Sequence, residues 1–138
     1  VFEEAPNRAR PKLPKPTELR RIFAAYLPLL PMLPDLTPRD LHARQQRGEN
    51  LQLIDVREQM EYDYCRIEGS HLIPLGELPR RTAEIATDRP VVLICHHGVR
   101  SMQALAFLQH RHGLSNLLNL KGGIDAWSRE VDPGVPMY

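Results

Sequence analysis

The 138 residues, 42% of them hydrophobic and 25% charged, have room for one domain with a single core, and this balance excludes a disordered or fibrous chain. Eighteen basic residues against 17 acidic ones leave a formal net charge of +1, so no overall field exists to recruit nucleic acid or an anionic membrane, and any anion site must be local. Cys65 and Cys95, the two cysteines, sit in unlike surroundings that do not suit a secreted disulfide scaffold; with no basic stretch leading into an apolar run and no apolar segment near the roughly 18 residues of a membrane span, the expected location is cytoplasmic.

Eight of the 13 prolines fall within the first 38 residues, so residues 1–36 read as a Pro-rich N-terminal arm without long uninterrupted elements. Within it Leu19, Ile22, Phe23, Tyr26 and Leu27 recur at helical spacing and predict a short amphipathic helix over residues 18–27. Such an arm packs on its own domain, the reading preferred because apolar segments beside a domain usually cover it, or serves as a docking segment, a linker to a neighbouring domain or a means of exchange between protomers.

Over residues 37–138 the pattern becomes regular and defines the domain. Thr37 and Pro38 suit the start of a helix, Leu41 its inner face and Gly48 its end. A short apolar strand follows over 51–56, a short helix over 59–64, an extended piece over 71–74 and a further helical stretch near 80–85. Residues 90–94 are apolar on both faces, as a central parallel strand is. A helix is predicted over 101–111 with Gly113 at its end, then a strand over 116–120 and a last helix over 124–129. Strands alternating with helices predict an α/β fold, a central parallel sheet with helices on both faces. Ligands in such folds bind beyond the carboxyl ends of strands.

The loop Cys95-His96-His97-Gly98-Val99-Arg100-Ser101 lies at such an end. A helix following shortly after Cys95 lets successive loop amides turn inward as an anion-binding nest backed by the helix dipole. A thiolate is itself an anion, and helix amino termini or nearby cations lower thiol pKa values from about 8.5 to about 7 or below, so the expectation is a pre-ionised nucleophile. Gly98 lets the backbone curl, Arg100 adds a cationic fork and Ser101 is placed to cap the helix. An inert core cysteine is the plain alternative, but it does not account for the polar, glycine-containing, Arg-bearing loop. His96 and His97 read as solvent-facing residues, electrostatic helpers or metal ligands; metal is the weakest, since adjacent histidines do not readily offer tetrahedral angles and no close Cys or His pair completes the set. No metal is expected.

Four segments in order carry a resemblance: Leu53-Ile54-Asp55-Val56-Arg57-Glu58, Ile67-Glu68-Gly69-Ser70-His71-Leu72-Ile73-Pro74, the Cys95 loop, and Gly122-Gly123-Ile124-Asp125-Ala126-Trp127. Together they resemble the successive signatures of the rhodanese sulfurtransferases over residues 37–138. The ending, residues 131–138, resembles both single-domain rhodaneses and rhodanese domains fused behind adenylyltransferases that charge sulfur-carrier proteins. The resemblance implies a two-step transfer. Cys95 attacks the outer sulfur of thiosulfate or a persulfide, holds it as Cys95–S–S⁻ and delivers it to a thiophilic acceptor. Loop amides, with Arg100, would steady the persulfide and orient an anionic donor.

It further implies structural roles near the site for Asp55 and Arg57, a pocket-bordering turn at Gly122 and Gly123, and a core anchor at Trp127. The implied partners are a small-molecule sulfur donor, a thiol or cyanide acceptor, and a protein sulfur carrier, with no cofactor, nucleic acid or membrane. Cys65, on the short helix before Ile67, reads as a packed thiol in preference to one that relays sulfur or resolves the persulfide. A phosphatase of the same architecture is the enzymatic rival, yet Cys95 and Arg100 enclose four residues, one fewer than such a phosphate loop needs. A non-catalytic docking or sensing module is the rival of another class.

Overall fold

Four consecutive apolar residues with no polar face, Val91–Ile94, form a strand that is buried throughout, and the rest of the domain is arranged around it. The computed structural model describes residues 15–18, 20–21 and 34–138. Of the arm, residues 16–18 and 20–21 are helical with exposed side chains. The apolar positions of the predicted amphipathic helix, Leu19, Ile22, Phe23, Tyr26 and Leu27, lie outside the described residues.

Pro34–Tyr138 forms one compact unit. Its elements in order are β1 (Asp35–Leu36), α1 (Pro38–Gln46), β2 (Gln52–Asp55), α2 (Gln59–Tyr64), β3 (His71–Leu72), two 3₁₀ segments (Leu75–Arg80 and Thr82–Glu84), β4 (Val91–Ile94), α3 (Val99–His112), β5 (Leu117–Leu120) and α4 (Gly123–Glu130). The five strands are all parallel, in the order β1-β5-β4-β2-β3. The sheet thus takes in Asp35 and Leu36, which the sequence pattern leaves in the arm: Leu36 pairs with Leu120 and buries its side chain.

Period-two alternation divides the core between the two faces of the sheet. Val91, Leu93 and Cys95 point to the face covered by Ala104, Leu105 and Leu108 of α3. Val92 and Ile94 point to the other, covered by Leu41 of α1 and by Ile124 and Trp127 of α4. Trp127 is therefore a core residue, as expected.

Local rules set most element ends. The Thr37 hydroxyl accepts the Asp40 N–H at 3.1 Å and Pro38 opens α1. Gly113 closes α3 in the left-handed conformation. Two predicted elements differ. The stretch expected to be helical near 80–85 starts earlier, at Leu75, and is 3₁₀, because Pro79 inside it cannot donate to an α ladder. Helix α3 begins two residues earlier than predicted, at Val99, because Gly98 at φ 99° supplies the cap.

Strand order fixes where a site can lie. From β2 the chain turns outward to β3, whereas from β4 it turns the opposite way to β5. The loops leaving the carboxyl ends of β2 and β4 therefore diverge and leave a crevice between them. Asp55 and Ile94 are paired across that crevice, and the Val56 N–H bonds the Ile94 carbonyl at 2.9 Å.

Candidate active site

Cys95 is the first residue beyond β4, and its strand register sends the side chain to the α3 face. The thiol is 1% exposed. One N–H donates to its sulfur, that of Gly98 at 3.0 Å, and the Ser101 hydroxyl oxygen lies 3.2 Å away. Gly98 is the N-cap of α3, so the sulfur sits beside the positive end of a 14-residue helix. Ser101 is not the cap. It is buried in the first turn, where its hydroxyl donates to Asn119 Oδ1 at 2.5 Å, and Asn119 Nδ2 in turn donates to Asp35 Oδ1 at 3.1 Å. The expected ring of successive amides is thus one amide and one hydroxyl in contact with sulfur, because the helix starts immediately after Gly98.

The loop is held from behind by α4. Ile124 N–H bonds the Cys95 carbonyl at 2.9 Å and Asp125 N–H bonds the His96 carbonyl at 3.1 Å. Two unpaired helix-start donors are satisfied by two loop carbonyls, which turns those carbonyls away from the sulfur. Gly123 makes this approach feasible: it has φ 63°, and a Cβ there would collide with the carbonyls of Cys95 and His96. Gly122 forms the preceding residue of the same turn.

Arg100 does not present a free fork. Its two terminal nitrogens grip Glu61 of α2 at 2.7 and 2.8 Å. The Arg100 guanidinium, with help from Glu58 N–H, holds the Glu61 carboxyl down to about pKa 2, against the opposing effect of its partial burial. Asp55 and Arg57 form a second, fully buried pair at 2.7 Å. Burial alone would lower the Arg57 pKa, but Asp55 more than compensates and it stays above its ordinary value. Arg57 also donates to the Cys65 carbonyl at 2.6 Å and to the Tyr138 hydroxyl at 2.9 Å.

Tyr138 joins the two pairs. Its hydroxyl accepts from Arg57 and donates to Glu61 Oε1 at 3.0 Å, while its ring stacks on His96 at 3.9 Å with planes 8° apart. His96 stacks in turn on His97, also at 3.9 Å. Burial and the neighbouring His97 push the His96 imidazole below its ordinary pKa. His97 is 62% exposed, with Nδ1 3.8 Å from Asp125. His96, His97 and Asp125 bring possible metal-ligand atoms within 4.8 Å of one another, although Asp125 already carries the Arg129 guanidinium. A separate cavity of about 480 Å³, lined by Arg44, Asp88, Arg89 and Asn116 among others, opens at the amino ends of β4 and β5, the far end of the sheet from the thiol.

A family model described as Rhodanese-like domain matches residues 37–130. The chain belongs to the rhodanese-like family. Its sequence is 36% identical over 106 residues to a sulfurtransferase of Allochromatium vinosum, covering 77% of this chain and 95% of that one. It is 41% identical over 105 residues to the probable adenylyltransferase/sulfurtransferase MoeZ of Mycobacterium tuberculosis, covering 75% of this chain but spanning only 26% of MoeZ. A rhodanese-related protein of Thermoplasma volcanium superposes with a TM-score of 0.64 at 32% identity, covering 75% of this chain and 98% of that structure.

Within this rhodanese-like domain, Cys95, His96, Gly98 and Ser101 gather at the sulfur or on the loop around it, and Gly122 and Gly123 buttress that loop. Val99 is exposed and turned outward. Cys65 ends α2 and is buried in the core cluster on the α1 and α4 face, the face opposite to Cys95. Glu61, Asn119, Asp125 and Tyr138 are parts of the site that the sequence pattern does not single out. Glu61 alone left a local trace, as the third residue of a helix whose Glu58 begins a reciprocal cap.

Proposed function

We propose that this rhodanese-like domain is a sulfurtransferase in which Cys95 accepts a sulfane sulfur from thiosulfate or a persulfide, carries it as Cys95–S–S⁻ and passes it to a thiophilic acceptor. The observation that carries this reading is the Gly98 N–H aimed at the Cys95 sulfur at the positive end of α3, with the Ser101 hydroxyl oxygen 3.2 Å from the same sulfur. Such a donor, fixed before reaction, stabilises a negative sulfur without reorganising during it. The thiolate attacks the outer sulfur of the donor, the remainder of the donor leaves with the bonding electron pair, and the terminal persulfide sulfur takes up the negative charge. Because Cys95 is 1% exposed, donor entry requires a side-chain movement at the loop.

The acceptor classes are small thiols, cyanide and a protein sulfur carrier, the last following from the resemblance of residues 131–138 to rhodanese domains fused behind adenylyltransferases. Neither nucleic acid nor a membrane has a role in this reading, and no cofactor is needed for the transfer. Among the described residues no helix is long and apolar enough to cross a membrane. Both cysteines are free, which supports a reducing compartment such as the cytoplasm. The four-residue spacing from Cys95 to Arg100, together with the engagement of Arg100 by Glu61, favours sulfur over phosphate. The test is to supply thiosulfate, a persulfide and a generic aryl phosphate in parallel. Thiocyanate formed from a sulfur donor and cyanide, without phosphate release, is expected; phosphate release without thiocyanate would replace this reading with the phosphatase one.

A further inference from the structure

The exposed large hydrophobic residues of the described chain are Met60, Tyr64, Val99, Met137 and Tyr138, from 42% to 79% exposed. They are not scattered. Met60 and Tyr64 lie on α2, the helix that delivers Glu61 to Arg100; Val99 is the first residue of α3; Met137 adjoins Tyr138, whose ring lies on His96. Met60, Glu61, Tyr64 and Tyr138 line a groove of about 380 Å³. Tyr64 meets Tyr138 edge to face at 5.8 Å. One wall of the groove is thus the Tyr138 ring, which also lies on His96, the residue after Cys95.

The charges point the same way. Arg57 and Arg100, and Arg129 beside His97 through Asp125, are each held by a carboxylate, Asp55, Glu61 and Asp125. Helix α2 and its cap contribute Glu58, Glu61 and Asp63 to this rim and no basic residue. A compact dianion such as thiosulfate therefore meets paired cations and an acidic rim, whereas a donor with a large apolar substituent covers surface that water now touches.

We infer that the preferred donor is an organic sulfane-sulfur compound whose apolar substituent occupies the groove between Met60, Tyr64 and Tyr138 while its outer sulfur faces Cys95. This rests on the sulfurtransferase reading above and narrows its substrate class. With a thiosulfonate as probe the step balances: the Cys95 thiolate bonds to the outer sulfur, the bond from that sulfur to the sulfonyl sulfur breaks, and the sulfinate leaves with the electron pair. Cyanide then removes the outer sulfur as thiocyanate and regenerates the thiolate.

The experiment compares thiosulfate, methanethiosulfonate and benzenethiosulfonate with cyanide as acceptor, in the full chain and in Met60→Gln and Met60→Gln/Tyr64→Gln variants. Burying an aryl group predicts a kcat/KM for benzenethiosulfonate at least about tenfold above that for methanethiosulfonate. That ratio falls in Met60→Gln and approaches one in the double variant; because it is a ratio within each protein, a general loss of activity or of folded protein does not mimic it. Equal rates for the two thiosulfonates in the unmodified chain overturn the inference while leaving the sulfurtransferase reading in place. A preference that survives the double substitution puts the substituent elsewhere, and self-association abolished by the double substitution gives the groove to a second copy; either overturns it. If none of the donors leaves sulfur on Cys95, the sulfurtransferase reading falls and this inference with it.

Discussion

The end of α2 and the loop after β4 each hold a cysteine almost out of water, Cys65 at 6% and Cys95 at 1% exposure. Cys65 even has a guanidinium beside it, with Arg57 Nη1 3.8 Å from its sulfur. That cation is already committed to Asp55, and the same Arg57 holds the Cys65 carbonyl. Around Cys95 the Gly98 N–H is aimed at the sulfur, and the backbone presenting it is braced by the start of α4. Burial and a nearby positive charge therefore do not separate the proposed nucleophile from the other thiol; a donor aimed at sulfur from a braced loop does.

This contrast can be broken most severely at Cys95. Cys95→Ser is expected to lower thiocyanate formation by about 10³-fold or more, since the attacking sulfur is gone. Next comes the brace. Gly123→Ala puts a methyl group against the Cys95 and His96 carbonyls at a positive φ, so the loop must shift; a loss of about 10²-fold in kcat/KM is expected from its displacement, with a lowered Tm read by calorimetry. Ser101→Ala removes the hydroxyl that lies 3.2 Å from the sulfur and leaves Asn119 Oδ1 without its donor. About a tenfold fall in kcat/KM, equivalent to roughly 1.4 kcal/mol, is expected from the loosened first turn of α3 beside the sulfur.

The Cys65 side sharpens the contrast by what it leaves unchanged. Cys65→Ser is expected to alter kcat/KM by less than about twofold, because that thiol faces the opposite core cluster. A large loss would mean that the second thiol participates. Glu61, which ties α2 to the loop, is tested by acid. Its folded pKa is depressed to about 2 from the ordinary 4.5 by the Arg100 guanidinium, so its contribution to stability is complete above about pH 4.5 and is lost as pH falls toward 2. In urea melts Glu61→Gln should therefore flatten the stability curve across that window relative to the unmodified chain. Glu84, held by Arg81 and His71, titrates over the same range in both proteins and cancels in the difference.

Much of this architecture is legible locally. The run Val91–Ile94, the Thr37 cap and the Gly113 stop each act within a few residues of themselves, and their elements sit within about two residues of expectation. What escapes has distant causes. Strand β1 is two residues long and exists through its pairing with β5. The Ser101 hydroxyl meets Asn119, Arg100 meets Glu61 and Arg57 meets Tyr138 across 18, 39 and 81 positions of sequence. Neither periodicity nor capping rules carry such information, which is why the engagement by Glu61 of Arg100, read from sequence as a cationic fork for an anionic donor, is not legible there. Cys95, the proposed nucleophile, stands out in the sequence because its loop concentrates glycine, histidine, arginine and serine in seven residues, directly after the most apolar strand.

The central claim is that Cys95, not Cys65, carries the transferred sulfur. Mass spectrometry of peptides after treatment with a sulfane-sulfur donor tests it directly: a gain of about 32 daltons is expected on the peptide containing Cys95, removed by cyanide, with the Cys65 peptide unchanged. The added mass on Cys65 alone, or on neither cysteine with any donor, would contradict the account.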